Sequence, residues 1–215
     1  MKNIIEIYKE YKIMPILVMH QVRVAAVAIQ ISKSLNDKKI NEDSILKACL
    51  LHDMGNIIKF DLDHFSDWNK PEGTEYWQKI KNEYIEKYGK NEHKATLLIG
   101  KEIGISSRIL ELIDSIDSSV AKNIVEGDDF EKKICMYADN RVSPHGIVSA
   151  EEHSLDAKER YKNHPNVFNE ESRVSFMKNL FIIEKQIFSN SNIKPEEIND
   201  ESIKNYLEEL KNYNF

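Results

Sequence analysis

The stretch PILVMHQVRVAAVAIQISKS, residues 15–34, constrains this chain most. It opens on a proline, whose fixed φ and missing N–H suit the first turn of a helix and not its interior. Ile16, Met19, His20, Val24, Val27 and Ile31 then fall along one side at helical spacing. A helix this apolar has to be covered by a bilayer or by other helices. His20, Gln21, Arg23 and Gln30 interrupt it, which argues against a membrane span and for the core of a helical protein.

The remainder of the chain supplies the cover. Seven glycines and five prolines in 215 residues leave little room for hairpins, and no run alternates as a strand would. Asn41 or Asp43 can cap a helix that ends in CLLHD. The spacing predicts helices over 74–88 and 91–103, separated at Gly89, and another near 108–114. Residues 60–73, FDLDHFSDWNKPEG, form the longest polar irregular stretch. Asp128 or Asp129 can cap a helix ending in ICMYAD, SPHG at 143–146 turns the chain, and Ser149 with Glu152 makes a capping box for a helix to about Tyr161. Beyond Pro165 come a long amphipathic helix and a last one from Asp200, with a charge-rich tail at 194–212 that reads as a solvated face. The expected fold is all-α, with a main unit over residues 1–165 and a helical extension over 166–215 packing on it.

Bulk properties narrow the function. A net charge of −6 argues against a binder of polymeric nucleic acid, which needs a basic surplus. No apolar run precedes a cleavage site near the N-terminus, and two cysteines make no disulfide framework, so a cytoplasmic location is expected.

The chemistry sits where polar residues enter apolar runs. CLLHDMGN, residues 49–56, carries His52 and Asp53 into a core, where a carboxylate needs a partner or a metal. His20 and Asp139 stand in the same situation on two other helices. Two imidazoles and two carboxylates suit one divalent ion, drawn from Mn, Co, Ni, Fe, Zn and Mg, with coordination positions left for water and substrate. Cys49 and Cys135 each precede a ligand position by one turn and are expected to pack beneath the site.

His20, then His52-Asp53 in LLHDMG, then Asp139 in YADNRV, resembles the H…HD…D signature of the HD superfamily of metal-dependent phosphohydrolases, and Arg23-Val24-Ala25 resembles the segment that follows the first histidine there. The resemblance covers roughly residues 15–142. It implies a helical bundle with additional C-terminal helices, a bound divalent metal, and hydrolysis of a phosphate ester by a metal-activated water. Two-metal relatives add two histidines inside this span. His93 stands at the place of the first, whereas the second place offers Asp114 and Asp117, which favours a single metal. Asn56 occupies the position of a common lysine, and the nearest lysine is Lys59.

On this basis Arg23, Lys59, Arg141 and His145 are candidates to bind the substrate's phosphate, and His93, Asp114 and Asp117 are candidates to move protons. Arg160 and His164 are weaker phosphate candidates. Phe65, Trp68 and Trp77 could stack on a nucleobase but read more simply as core or dimer contacts. The expected partner is a small phosphorylated molecule, a nucleotide by preference, with no membrane and room for a homodimer. Two other readings stay open: a di-iron oxygenase of HD type, and a sensor that holds metal or nucleotide without turnover.

Overall fold

Three helices meet around the run that opened the sequence. The computed structural model describes residues 2–36, 39–162, 169–210 and 213–215. His164 and the boundary expected at 165 lie outside the described residues. Among the described residues the α-helices are α1 Ile4–Glu10, α2 Pro15–Ser34, α3 Glu42–Leu51, α4 Thr74–Tyr88, α5 Glu92–Ile103, α6 Ser107–Asp114, α7 Ala121–Glu126, α8 Phe130–Asp139, α9 Ala150–Tyr161, α10 Glu170–Phe188 and α11 Lys204–Leu210. A two-residue hairpin, β1 Val142–Ser143 with β2 Gly146–Ile147, turns at Pro144-His145. The fold is all-α.

α3 packs along α2, and α8 packs on both. The residues between them are small: Ala25, Ala28, Ala48, Cys49, Cys135 and Ala138 are fully buried. Short side chains let helix axes approach toward the lower end of the usual range of about 8–10 Å. Around this centre the caps hold the helix starts. Asn41 accepts from the Ser44 N–H at 3.0 Å, Asn91 from Lys94 at 2.7 Å, and Ser149 exchanges bonds with Glu152. Each such cap is worth about 1 kcal/mol.

Three departures from the sequence pattern have physical causes. α1 and α7 are seven and six residues long, too short to show a helical period, yet they bury Ile4, Ile7, Tyr8, Ala121 and Ile124. The last helix begins at Lys204 rather than Asp200, because the Asn199 side chain accepts from the Glu201 and Ser202 N–H groups and holds a turn there. The 194–212 tail is more than a solvated face: Ile198, Ile203 and Leu210 are buried, and α11 packs on α2. α10 packs on α7, α8 and α9. α2 is long and apolar enough to cross a bilayer by length and composition alone, but 56% of its most apolar window is buried within the fold.

Arg141 requires a correction. It is 3% exposed, with Nε donating to Val148 O, one terminal nitrogen to the Tyr137 hydroxyl at 2.9 Å, and the other to Pro195 O and Ile198 O at 3.1 and 2.9 Å. Four of the five guanidinium N–H donors hold the end of α8 against the tail from a buried position, so Arg141 serves as an internal strut rather than a phosphate ligand. Replacing it with Met leaves three carbonyls and a hydroxyl without their donor, and should cost about 3–5 kcal/mol in urea unfolding with metal content unchanged. A loss below about 1 kcal/mol would contradict this structural role.

Candidate metal centre

The centre forms where α2, α3 and α8 present ligands to one point. His52 is the C-cap of α3, and its Nδ1 donates to Cys49 O at 2.8 Å across the last turn. That bond fixes the tautomer and leaves the Nε2 lone pair facing outward from the core. Asp53 follows in the turn, with its backbone N–H donating to Gln21 Oε1 at 3.1 Å. Gln21 is fully buried and adjoins His20, so α2 supplies one donor directly and anchors a second. Asp139 is the last residue of α8.

The four side chains meet closely. His20 Nε2 lies 3.0 Å from Asp139 Oδ1 and 3.3 Å from His52 Nε2, and His52 Nε2 lies 3.2 Å from Asp139 Oδ1. Asp53 Oδ2 stands 3.6 and 3.7 Å from the two imidazole nitrogens. Donors about 2.1 Å from one ion lie roughly 3.0–3.4 Å from each other in octahedral or tetrahedral arrangement. The spacing of His20, His52 and Asp139 falls in that range, and Asp53 closes on it within a few tenths of an ångström. Nitrogen and carboxylate donors in equal number fit a divalent ion of borderline to hard character. The His52 side chain is 2% exposed, whereas those of His20, Asp53 and Asp139 keep 21, 18 and 23% open, so an ion held here has a sealed and an open side.

Electrostatics agree with a site built for a cation. Burial alone would lower the His52 pKa, but the Asp53 charge, the bond to Asp139 and its charge, and the Cys49 carbonyl outweigh it and push the value up to about 9. Burial would raise the Asp139 carboxyl, yet the hydrogen bonds and charges of His20 and His52 hold it well below the ordinary carboxylate range. Cys49 and Cys135 lie fully buried beneath. Bonding to Cys135 first, then burial and the Asp139 charge, pushes the Cys49 thiol up, which keeps it protonated and a poor ligand at neutral pH.

The turn after His52 is pinned to α5. The Gly55 N–H donates to Thr96 Oγ1 at 2.9 Å, and a Cβ at Gly55 would stand 2.3 Å from Glu92 O and 2.8 Å from Thr96 N. Only glycine permits this approach. It brings the first turn of α5, and with it His93, beside the turn that carries Asp53. His93 Nε2 lies 2.7 Å from Asp114 Oδ1. Asp117 feels the charges of His93 and Lys59, although burial opposes them, and its bonds from Ser119 lead in holding it below the ordinary range. Lys59 is half-exposed and 4.0 Å from Glu92. His93, Asp114, Asp117 and Lys59 are thus neighbours.

The remaining candidates divide. Arg23, one turn along α2 from His20, is half-buried with no hydrogen-bond or ion-pair partner among the described residues. His145 sits exposed at the hairpin tip, where its neighbour Gly146 lies against Asp200, and nothing brings its side chain to the four donors. Two residues escaped the sequence reading. Gln21 was visible only as an interruption of an apolar run. His153, on α9, lies half-buried within electrostatic reach of Asp139, His20 and Arg160, with burial holding its pKa below the usual value. No motif marks it, because the hairpin that folds α9 back onto the site is what brings it there.

A helical bundle that gathers two imidazoles and two carboxylates from α2, the end of α3 and the end of α8 offers a group that could hold a metal ion. Residues 17–119 match the family model of the HD domain, and this stretch of the chain is an HD domain, a family of metal-dependent hydrolases. The match contains His20, His52 and Asp53; Asp139 lies beyond it and joins them through the packing of α8. Searches of curated proteins and of solved structures returned no match.

Two predictions follow from this geometry. In the metal-free protein, the raised His52 value stabilises the fold fully below about pH 6.5, and that contribution is lost as pH rises through about 9. The same proton competes with an ion for Nε2, so apparent Co or Zn affinity should rise from pH 6.5 to 9 and level off above it. A flat affinity across that interval would remove His52 from the ligand set. The double variant Cys49→Ala, Cys135→Ala should lose about 1–2 kcal/mol of stability and keep its metal; a folded variant without metal would make the cysteines ligands.

Proposed function

We propose that the protein is a phosphohydrolase that cleaves a small phosphate ester, a nucleotide by preference, with water as nucleophile. One observation carries the reading: three donors at metal spacing with Asp53 close beside them, sealed on the His52 side and open on the other. When bound, a divalent ion supplies Lewis-acid polarisation of a phosphoryl oxygen and lowers the pKa of water beside it. His52, locked by Cys49 O, and Asp53, anchored by Gln21, arrive with their orientation already set. Arg23 remains charged at all relevant pH and, with no internal partner among the described residues, suits the phosphoryl oxygens. Asp114 orients the His93 imidazole, and we assign its other nitrogen the taking and returning of a proton. Lys59 and Asp117 complete a charged rim around that pair.

The His93–Asp114 contact also supports a second reading, in which the pair contributes to a second ion and the chemistry is that of a di-iron oxygenase. Metal analysis separates the two, since the oxygenase requires two irons per chain. A protein that binds metal yet turns over nothing on a panel of nucleoside mono-, di- and triphosphates would be the sensor instead.

With an active substrate from that panel, Asp53→Ala should lose both metal and turnover. Arg23→Lys should keep the metal and lower kcat/KM about tenfold, roughly 1.4 kcal/mol of transition-state stabilisation. Full metal and full turnover in Asp53→Ala would move the site elsewhere; unchanged kinetics in Arg23→Lys would take phosphate recognition away from α2.

A further inference from the structure

A second built surface runs from the metal centre along α9. His153, half-buried on α9, lies within electrostatic reach of His20, Asp139 and Arg160. Arg160 lies two turns further on the same side of the helix, roughly 10 Å along its axis. Its Nε donates to Asp156 Oδ2 at 2.7 Å, which fixes the guanidinium 5.9 Å from the Trp68 ring and 5.5 Å from the Tyr161 ring. Trp68 lies flat on Phe65, centroids 4.2 Å apart and planes 4° apart, and Tyr161 meets Phe65 edge-on. His64 Nε2 is 3.1 Å from Arg160 O and joins this loop to α9. Phe65, Trp68 and Tyr161 are only half-buried. Trp77 shows the contrast: it is 3% exposed, with its indole N–H bonded to Asn69 O.

Core aromatics are covered; these half-buried rings, two from a polar loop and Tyr161 from the end of α9, are gathered beside an arginine. Indole, phenyl and guanidinium surfaces all favour a flat, electron-rich ring. We propose that Phe65, Trp68, Tyr161 and Arg160 form the subsite for the nucleobase of a nucleoside monophosphate whose phosphate lies at the metal centre. The proposal rests on the phosphohydrolase reading for the position of the phosphate. The reach of α9 from Arg160 to His153 matches a base and ribose laid along it, and stacking without edge-specific donors accepts any base.

The test is binding by calorimetry and tryptophan fluorescence on the full chain. Adenosine and AMP should quench wild-type fluorescence saturably, whereas ribose 5-phosphate should not. Trp68→Ala should weaken AMP binding about ten- to a hundredfold, the scale of one lost base–aromatic stack, while ribose 5-phosphate binding stays unchanged. Trp68→Phe should abolish the quenching yet restore most of the affinity. Should Trp68→Ala fail to fold, Arg160→Gln carries the same comparison, with a loss of AMP affinity of about three- to tenfold expected. Equal binding of AMP and ribose 5-phosphate by wild type, or wild-type AMP affinity in these variants, would overturn the subsite. Saturable nucleoside binding without phosphatase turnover would retire the hydrolase and keep the shelf. Turnover with the same KM for AMP and ribose 5-phosphate would retire the shelf and keep the hydrolase.

Discussion

The carboxylate of Asp139, carried to the end of a buried helix, is the constraint on which the rest depends. Its removal from water is tolerated because two imidazoles reach it, and they reach it because small residues let α2, α3 and α8 close on one another. The same closeness brings Asp53 in as a second negative charge. Without an ion, His52 must hold a proton to a pH well above its ordinary range to balance the pair. The fold therefore keeps a place for positive charge among these carboxylates, as functional sites commonly do.

Around that centre the cations divide into two kinds that look alike in sequence. Arg141 follows Asp139 by two residues and reads as a phosphate ligand, but its guanidinium is an internal strut whose every nitrogen is bonded. Arg23 follows His20 by three and has no such commitments among the described residues. The difference lies in the tail: Pro195 and Ile198 place carbonyls against the end of α8, and nothing in YADNRV announces them.

The architecture was legible where local chemistry punctuates it. Pro15 opens α2, Asn41, Asn91 and Asp129 cap α3, α5 and α8, and Gly89 separates α4 from α5, so these elements could be placed from spacing alone. α1 and α7 could not, because six or seven residues hold too few turns for a period. In the site, His20 stood out as a polar residue inside an apolar run, and His52, Asp53 and Asp139 as polar residues at the ends of such runs. His153 and Gln21 did not, since their meaning comes from what folds against them: a returning helix in one case, the backbone of Asp53 in the other.

The absence of a side chain at Gly55 has a mechanical consequence. A Cβ there would stand 2.3 Å from Glu92 O, so the turn holding Asp53 and the first turn of α5 leave no room for a side chain between them. Through this contact the His93–Asp114 pair and the candidate metal ligands are positioned by the same close approach of backbone to backbone. The missing side chain at Gly55 thus sets how near the proposed proton-handling pair can stand to the candidate metal centre, and any larger residue there would part the two.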